Sequence, residues 1–279
     1  MILVTGATGQ AGGAVVRGLL DRGLEVRAVA SARSAAKVDP RAEVAVADLG
    51  DADSVQACLD GVTAAFLHSG YAGIDESQAA MRERGVQRVV LLSSSAVPSG
   101  DLTNAVGAYH IRSEQAVRDH GPSWTFLRPY SLMSNTLRWL DQLADGEIVR
   151  LPFPDVAVAT LHPDDLAAVA AVCLTSDDHT GRAYPVSGPA ALRPAEQVEI
   201  VAAATGRAMR FDGIPDDQAR AQLGKSMPPQ YVDAFYRLFV EGDADETTVV
   251  PTVRELTGAE PRTLADWATT HASAFALPS

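Results

Sequence analysis

Through the first half of the chain, short apolar runs alternate with longer stretches whose apolar positions recur every three or four residues. The runs "ILVT", "EVRAVA", "EVAVA", "AAFLH" and "QRVVLLSS" are short and rich in β-forming residues, so they read as strands. Between them the spacing predicts helices from Gln10 to about Arg22, near Ala52 to Leu59 and near Asp75 to Arg84. A helix containing Tyr109 and a strand "WTFLRP" complete the series. Strands that are apolar along their length are buried on both faces, and helices of roughly 10 to 15 residues between them indicate parallel pairing. The pattern predicts a doubly wound α/β fold.

Beyond Pro129 the rhythm changes, with frequent proline (Pro152, Pro154, Pro163, Pro185, Pro189, Pro194) and fewer apolar runs. A helix opening at Pro163-Asp164-Asp165 and the run "AYPVSG" are expected to return to the main sheet. From Gly188 onward, "VEIVAAATG" and "YVDAFYRLFV" predict a helical cap over one end of it. The expected division is a nucleotide-binding domain over 1–150, rejoined by 160–187, and a smaller capping domain over 188–279. Tyr231, Phe235, Tyr236 and Phe239 form a stripe at helical spacing. Packing explains most such stripes; a share in a substrate pocket is the alternative.

A chain of 279 residues with 47% apolar content can bury a large core and a small appendage. Its formal charge of −12 is scattered along the sequence, which favours solubility and opposes a long interface with nucleic acid. Cys58 and Cys173 sit in apolar helical patterns and read as small buried hydrophobes, so neither a disulfide nor a metal site is expected. The opening "MILVTGATG" lacks a basic flank and a long apolar run, so no leader and no spanning helix are expected. These features predict a cytoplasmic monomer or homodimer that acts on a small molecule, without nucleic acid or membrane partners.

"VTGATGQAGG" places Gly6, Gly9 and Gly12 between the first strand and the first helix. Gly6 permits the tight turn, Gly9 lets the backbone approach a diphosphate, and Gly12 lets helix and strand pack closely. Thr8 lies in this loop, and the amides of Gln10 and Ala11 at the helix start can receive negative charge. An acid near the end of the second strand would favour NAD, but "AVASARSAAK" has none between Val26 and Lys37. Arg33, with Ser31 and Lys37, can instead bond a 2′-phosphate, at roughly 1.5 to 3 kcal/mol per charge-assisted bond. NADP(H) is therefore expected over NAD(H), with a solvated Arg33 as the alternative. Asp48 is placed to accept from the adenine amino group and Leu49 to cover the ring; the alternative for Asp48 is a helix cap, a job for which Asp51 is better placed. Further expected cofactor contacts are His68, Ser69, Gly70 and Ser93.

Together "ILVTGATGQAGG", "VADLGDADSV", "VQRVVLLSSSA" and "HIRSEQAVRDHGPSWTFLRPYSLMSN" resemble the NmrA-like group of atypical short-chain dehydrogenases. The similarity is to the branch of NADPH-dependent quinone reductases and triphenylmethane-dye reductases. It continues through "LHPDDLAAVAAVCL", "GRAYPVSGPAAL", "VVPTVRELTG" and "RTLADWATTHASAF", and so spans essentially the whole chain. The resemblance implies a Rossmann core, NAD(P)H binding and a small C-terminal domain that forms the substrate cleft. Its members include reductases and redox-sensing regulators without turnover.

One departure concerns chemistry. Where short-chain dehydrogenases carry Tyr-x-x-x-Lys, this chain has Tyr109 followed by Ser113. On a helix, Val106, Tyr109, His110, Ser113, Ala116, Val117 and His120 fall within an inward arc of about 120°, with Arg112, Gln115, Arg118 and Asp119 outside it. Without the lysine charge Tyr109 keeps its ordinary phenol pKa of about 10 and is a poor acid near neutrality. His110, with an ordinary pKa of about 6.5, is the other proton-donor candidate, against the simpler reading of a packed histidine. Ser95 matches the position of the dehydrogenase catalytic serine; the alternatives are that it closes the strand end or bonds the nicotinamide ribose.

Pro129 and Tyr130 are expected near the nicotinamide and Asn135 at the substrate, unless Asn135 only closes a helix. A weak acid suits acceptors whose product charge is delocalised, so the expected reaction is hydride transfer from NADPH to a quinone-like, conjugated or polyketide-type aromatic compound. A nucleotide-sensing regulator and a non-redox isomerase or cyclase are the alternatives.

Overall fold

The computed structural model describes residues 1–276. A seven-stranded parallel sheet forms its centre, in the spatial order β3-β2-β1-β4-β5-β6-β8. The strands are β1 (Ile2–Val4), β2 (Val26–Ala30), β3 (Glu43–Val46), β4 (Ala64–His68), β5 (Arg88–Leu92), β6 (Ser123–Pro129) and β8 (Arg182–Val186). The expected return of "AYPVSG" is observed: β8 pairs with β6, Phe126 opposite Ala183 and Leu127 opposite Tyr184. Order reverses between β1 and β4, and that switch point opens the crevice in which doubly wound sheets bind nucleotides.

Successive strand residues face opposite sides of the sheet. Val4, Ala28, Phe66, Val90 and Leu127 pack under α1 (Gln10–Leu20) and α6 (Pro163–Thr175), whereas Leu3, Val29, Leu67, Leu91 and Phe126 pack under the other face. That face is covered by α2 (Ala52–Gln56), α3 (Ile74–Glu83) and α4 (Ala105–His120). Cys58 and Cys173 are buried free thiols in these layers, and burial pushes the Cys173 thiol up to about 12. Asp51, not Asp48, caps α2 through the Asp53 amide.

A separate core gathers Met133, Trp139, Leu143 and Val149 with Val198, Val201, Trp267 and Phe275. It is built from α5 (Leu140–Ala144), β7 (Ile148–Leu151), α7 (Pro194–Thr205), β9 (Arg210–Gly213) and α11 (Leu264–Thr270). Two features differ from the boundaries drawn at 150 and 188. Residues 133–151 share the second core, because β7 pairs with β9 in a two-stranded parallel sheet. Conversely α10 (Thr252–Thr257) returns to the first core through Val253, and Thr252 Oγ1 donates to Pro185 O. The remaining helices, α8 (Asp216–Leu223) and α9 (Pro229–Phe239), lie together through Ala219, Val232 and Tyr236. No helix among the described residues is long and apolar enough to cross a membrane.

Candidate active site

The glycine turn fits a diphosphate sterically and electrically. Gly12 lies so close to β1 that a Cβ there would sit 2.3 Å from the Gly6 carbonyl oxygen, so only glycine lets α1 start at this depth. Gly9 is the N-cap of α1 and contributes no side-chain cap, which leaves the first-turn amides facing outward as an anion site. A cleft of about 420 Å³ beside it is lined by Thr8, Gly9, Gln10 and Lys37, and also by Arg17, which the sequence reading missed. The cradle fits the diphosphate of a dinucleotide.

An adjoining cleft of about 620 Å³ runs over the ends of β1, β2 and β4. Gly6, Thr8, Ser31, Asp48, Leu49 and His68 line it, joined by Ser34 and Ser54. Its β2–β3 end is set by short local bonds: Ser31 and Ser34 hydroxyls meet at 2.9 Å, and Asp48 Oδ1 accepts from the Gly50 amide at 2.9 Å. Arg33 is exposed in the turn after β2, beside this cleft but not in its wall. His68 is held by Thr5, whose Oγ1 accepts from the His68 amide and lies 3.0 Å from Nδ1. Thr5 Oγ1 also donates to Phe66 O, and burial lowers the His68 pKa, which disfavours the charged ring. Ser69 is turned away, its hydroxyl donating to Leu92 O.

The helix that carries Tyr109 shows what replaces the lysine. Ser113 is buried; its hydroxyl donates to Tyr109 O at 2.7 Å and accepts from the Gly70 amide at 3.0 Å. Gly70 has φ +86°, and a Cβ on it would stand 2.8 Å from Tyr109 Cδ2. Ser113 thus pins the loop after β4 beneath the Tyr109 ring. The inward arc holds except at His120, which is exposed at the helix end, 3.7 Å from Asp75. Glu114, fully buried, accepts from Ser93 Oγ at 2.6 Å and from Arg128 and Arg118. The Ser93 hydroxyl thus gives its proton to this ion cluster.

Ser95, Tyr109, His110, Pro129, Tyr130 and Asn135 converge on one pocket of about 340 Å³, closed by Phe235 and Phe239 from α9. The aromatic stripe divides here. Phe235 and Phe239 face the pocket with near-parallel rings, 6.0 Å apart, whereas Tyr236 is buried against Phe153 and donates to Asp216 O. Tyr130 is likewise structural: its amide donates to Val186 O and its hydroxyl to Thr248 O. Asn135 is exposed, and its amide N–H closes a 3₁₀ turn on Leu132 O.

Electrostatics corrects the proton-donor expectation. Burial drives His110 down to about 4, its Nδ1 is buried without a hydrogen-bond partner, and its ring lies against Tyr109 at 4.1 Å. At neutral pH it is an uncharged imidazole, and the ordinary pKa of 6.5 does not apply. Burial, with Tyr231 nearby, raises the Tyr109 phenol. Ser95 does not point free into the pocket either: its hydroxyl donates to Glu246 Oε1 at 2.6 Å, while Ser131 donates to Oε2 from its amide and hydroxyl. Glu246 is the pocket residue that sequence spacing could not reveal, because it follows no motif and lies 151 positions from Ser95. Among the described residues no cluster of His, Cys, Asp and Glu is arranged to hold a metal ion.

Nucleotide clefts at the switch point and a pocket at the carboxyl ends of β5 and β6 define a dinucleotide-dependent protein of the Rossmann class. Residues 6–177 match the NAD(P)H-binding family, and the chain belongs to it; relatives over 30% identical across the whole chain are reductases. The chain is 39% identical to the (4-alkanoyl-5-oxo-2,5-dihydrofuran-3-yl)methyl phosphate reductase of Streptomyces griseus over 99% of both chains. It is 33% identical to the NAD(P)H azoreductase of Xenophilus azovorans, again over 99% of both. Its fold is similar to that of an NADPH-dependent quinone oxidoreductase of Escherichia coli, with a TM-score of 0.79, 22% identity, and 97% and 99% of the two chains covered.

Proposed function

We propose that this protein is an NADPH-dependent reductase of uncharged, conjugated acceptors such as enones, unsaturated lactones and quinones. The observation that carries the reading is a pocket beside the nucleotide clefts that has aromatic walls and no group able to act as a strong acid at neutral pH. An isolated ketone would need such an acid as charge builds on its oxygen; a conjugated acceptor spreads that charge and does not. When bound, the reduced nicotinamide supplies hydride. The chain's own residues do the rest: the α1 amides hold the diphosphate, Phe235 and Phe239 flank a planar acceptor, and Asn135 and Tyr109 donate hydrogen bonds that orient its oxygen. The relative from S. griseus is named for an unsaturated lactone, which is a conjugated acceptor of this kind. Its substrate also bears a phosphate, but this pocket presents Glu246 and no lysine or arginine among its described lining residues, which favours an uncharged compound.

The test mixes the purified protein and NADPH with a panel of enones, unsaturated lactones and quinones, each lactone with and without a phosphate ester. The expected result is acceptor-dependent loss of absorbance near 340 nm, faster for the uncharged member of each pair. A panel with no acceptor-dependent loss overturns the reading. The cofactor preference is tested separately. Arg33→Ala is expected to weaken NADPH about tenfold and NADH by less than threefold, since one charge-assisted bond is worth about 1.5 to 3 kcal/mol. Equal weakening of both would remove Arg33 from the 2′-phosphate.

A further inference from the structure

Two walls of the acceptor pocket come from helices distant in sequence: Val106, Tyr109 and His110 lie on α4, and Phe235, Leu238 and Phe239 on α9. A third stretch, Ala244 and Glu246, follows α9. One buried side chain joins all three. Asn104 Oδ1 caps α4 by accepting from the Val106 and Gly107 amides, both at 3.0 Å. Only the oxygen can meet two N–H donors, so the cap fixes which way the side-chain amide faces. Its Nδ2 then donates to Ala234 O, beside Phe235, at 3.3 Å, and to Asp243 Oδ2, beside Ala244, at 3.4 Å. Arg237 of α9 reinforces the joint: it donates to Thr103 Oγ1 at 2.9 Å and to Asp101, and lies 3.2 Å from Asp243 Oδ2. Among the described residues α9 contributes nothing to the three larger apolar cores, and its Val232 and Tyr236 belong to the small cluster shared with α8. Apolar burial is non-directional, whereas hydrogen bonds fix register, so this polar joint sets where α9 sits on α4.

We propose that Asn104 is the positioning residue of the acceptor pocket. By tying the start of α4 to α9 and to the loop behind it, Asn104 sets the gap between the Tyr109 wall and the Phe235 wall, and through Asp243 it places Glu246. The proposal rests on the reductase reading above, because it takes the acceptor to lie in this pocket. The gap matters because a flat acceptor is gripped by dispersion, and a slack of about 0.5–1 Å forfeits roughly a quarter to a half of each contact. Asn104 itself need not touch the acceptor; its effect passes through the aromatic wall.

The experiment separates the two jobs of this side chain in the full-length protein. Asn104→Asp keeps an oxygen for the α4 cap, where aspartate serves as well as asparagine, but it loses the donor to Ala234 and sets a carboxylate against Asp243. With NADPH and the fastest acceptor of the panel above, KM is expected to rise about tenfold, kcat to stay within about threefold, and NADPH affinity by calorimetry to stay within about threefold. Adding Asp243→Asn supplies an amide donor to the new carboxylate, and the double variant should recover KM to within about threefold of wild type. An unchanged KM in Asn104→Asp, an equal loss of acceptor and NADPH binding, or no recovery in the double variant overturns the proposal and leaves the reductase reading standing. Should Asn104→Asp fail to fold, Arg237→Gln loosens the same joint without touching the cap; the same KM rise supports the proposal and its absence overturns it. Should no acceptor of the panel be reduced, the reductase reading fails and binding decides. Coumarin, a flat uncharged lactone, is then titrated by calorimetry in the presence of NADP: binding about tenfold weaker in Asn104→Asp supports the positioning role, and binding that is equal in both proteins or absent from both overturns it.

Discussion

Ser113 occupies the place where a lysine would tune the tyrosine, and both its hydrogen-bonding roles are already taken by Tyr109 O and Gly70 N. Replacing it by alanine removes its bonds to the Gly70 amide and to Tyr109 O, so Ser113→Ala is expected to cost about 0.5–1.5 kcal/mol in denaturant unfolding. Ser113→Lys should cost more and yield no better acid, because the new ammonium would be buried under the Gly70 loop. His110 gives a pH signature. Its imidazole titrates near 6.5 in the unfolded chain and at about 4 in the folded one. Between those values the unfolded chain binds more protons, so stability is complete above pH 6.5 and falls as pH drops toward 4. The loss is up to about 3 kcal/mol at 1.36 kcal/mol per unit. His68 and His162, also lowered by burial, slope the same way. The check is therefore a comparison of wild type with His110→Phe, in urea at pH 7.5 and 4.5: the variant should lose less stability on acidification. The site was legible at this scale for Tyr109, His110 and Asn135, and illegible for Glu246, because a loop residue without periodicity carries no local signal.

The turn from β1 into α1 is the element that the proposed cofactor binding rests on. Its glycines were readable because a diphosphate cradle demands particular backbone room at a fixed spacing. In Gly12→Ala the new Cβ would meet backbone atoms on both Thr5 and Gly6, and backbone cannot swing aside. The variant is expected to unfold at least 1–3 kcal/mol more readily and to lose tenfold or more in NADPH affinity by calorimetry. Gly9→Ala, with its nearest clash at 3.3 Å, should fold normally. The α4 face was readable too, since its exposed positions Arg112, Gln115, Arg118 and Asp119 followed from periodicity. The burial of Glu114 was not, because its partner Arg128 comes from β6. In α9 the spacing announced one aromatic stripe, and only the neighbours separated its pocket rings from its packing ring.

Across the whole molecule, Glu246 joins three walls of the acceptor pocket: Ser95 after β5, Ser131 after β6, and its own loop between α9 and α10. Glu246→Ala leaves two hydroxyls and an amide without their acceptor. We expect acceptor KM to rise tenfold or more while NADPH affinity, set at the distant α1 turn, changes less than threefold; equal losses in both would show that the effect is global. Asp165 of α6, buried and bonded to the Arg262 amide at 2.7 Å and to its guanidinium, ties the C-terminal segment to the nucleotide-binding core in a similar way. The sequence by itself determined the alternating α/β order, the parallel sheet, the diphosphate turn and the return of β8, because each is written in local periodicity or in glycine spacing. It did not reveal the strands β7 and β9, which stand outside the alternating series and pair with each other in a separate sheet. Only the tertiary structure decided that His110 is neutral, that Ser93 and Ser95 are engaged by glutamates, and that residues 133–151 serve the second core. Those outcomes depend on burial and on partners brought together from distant parts of the chain, and neither has a signature in the neighbouring residues.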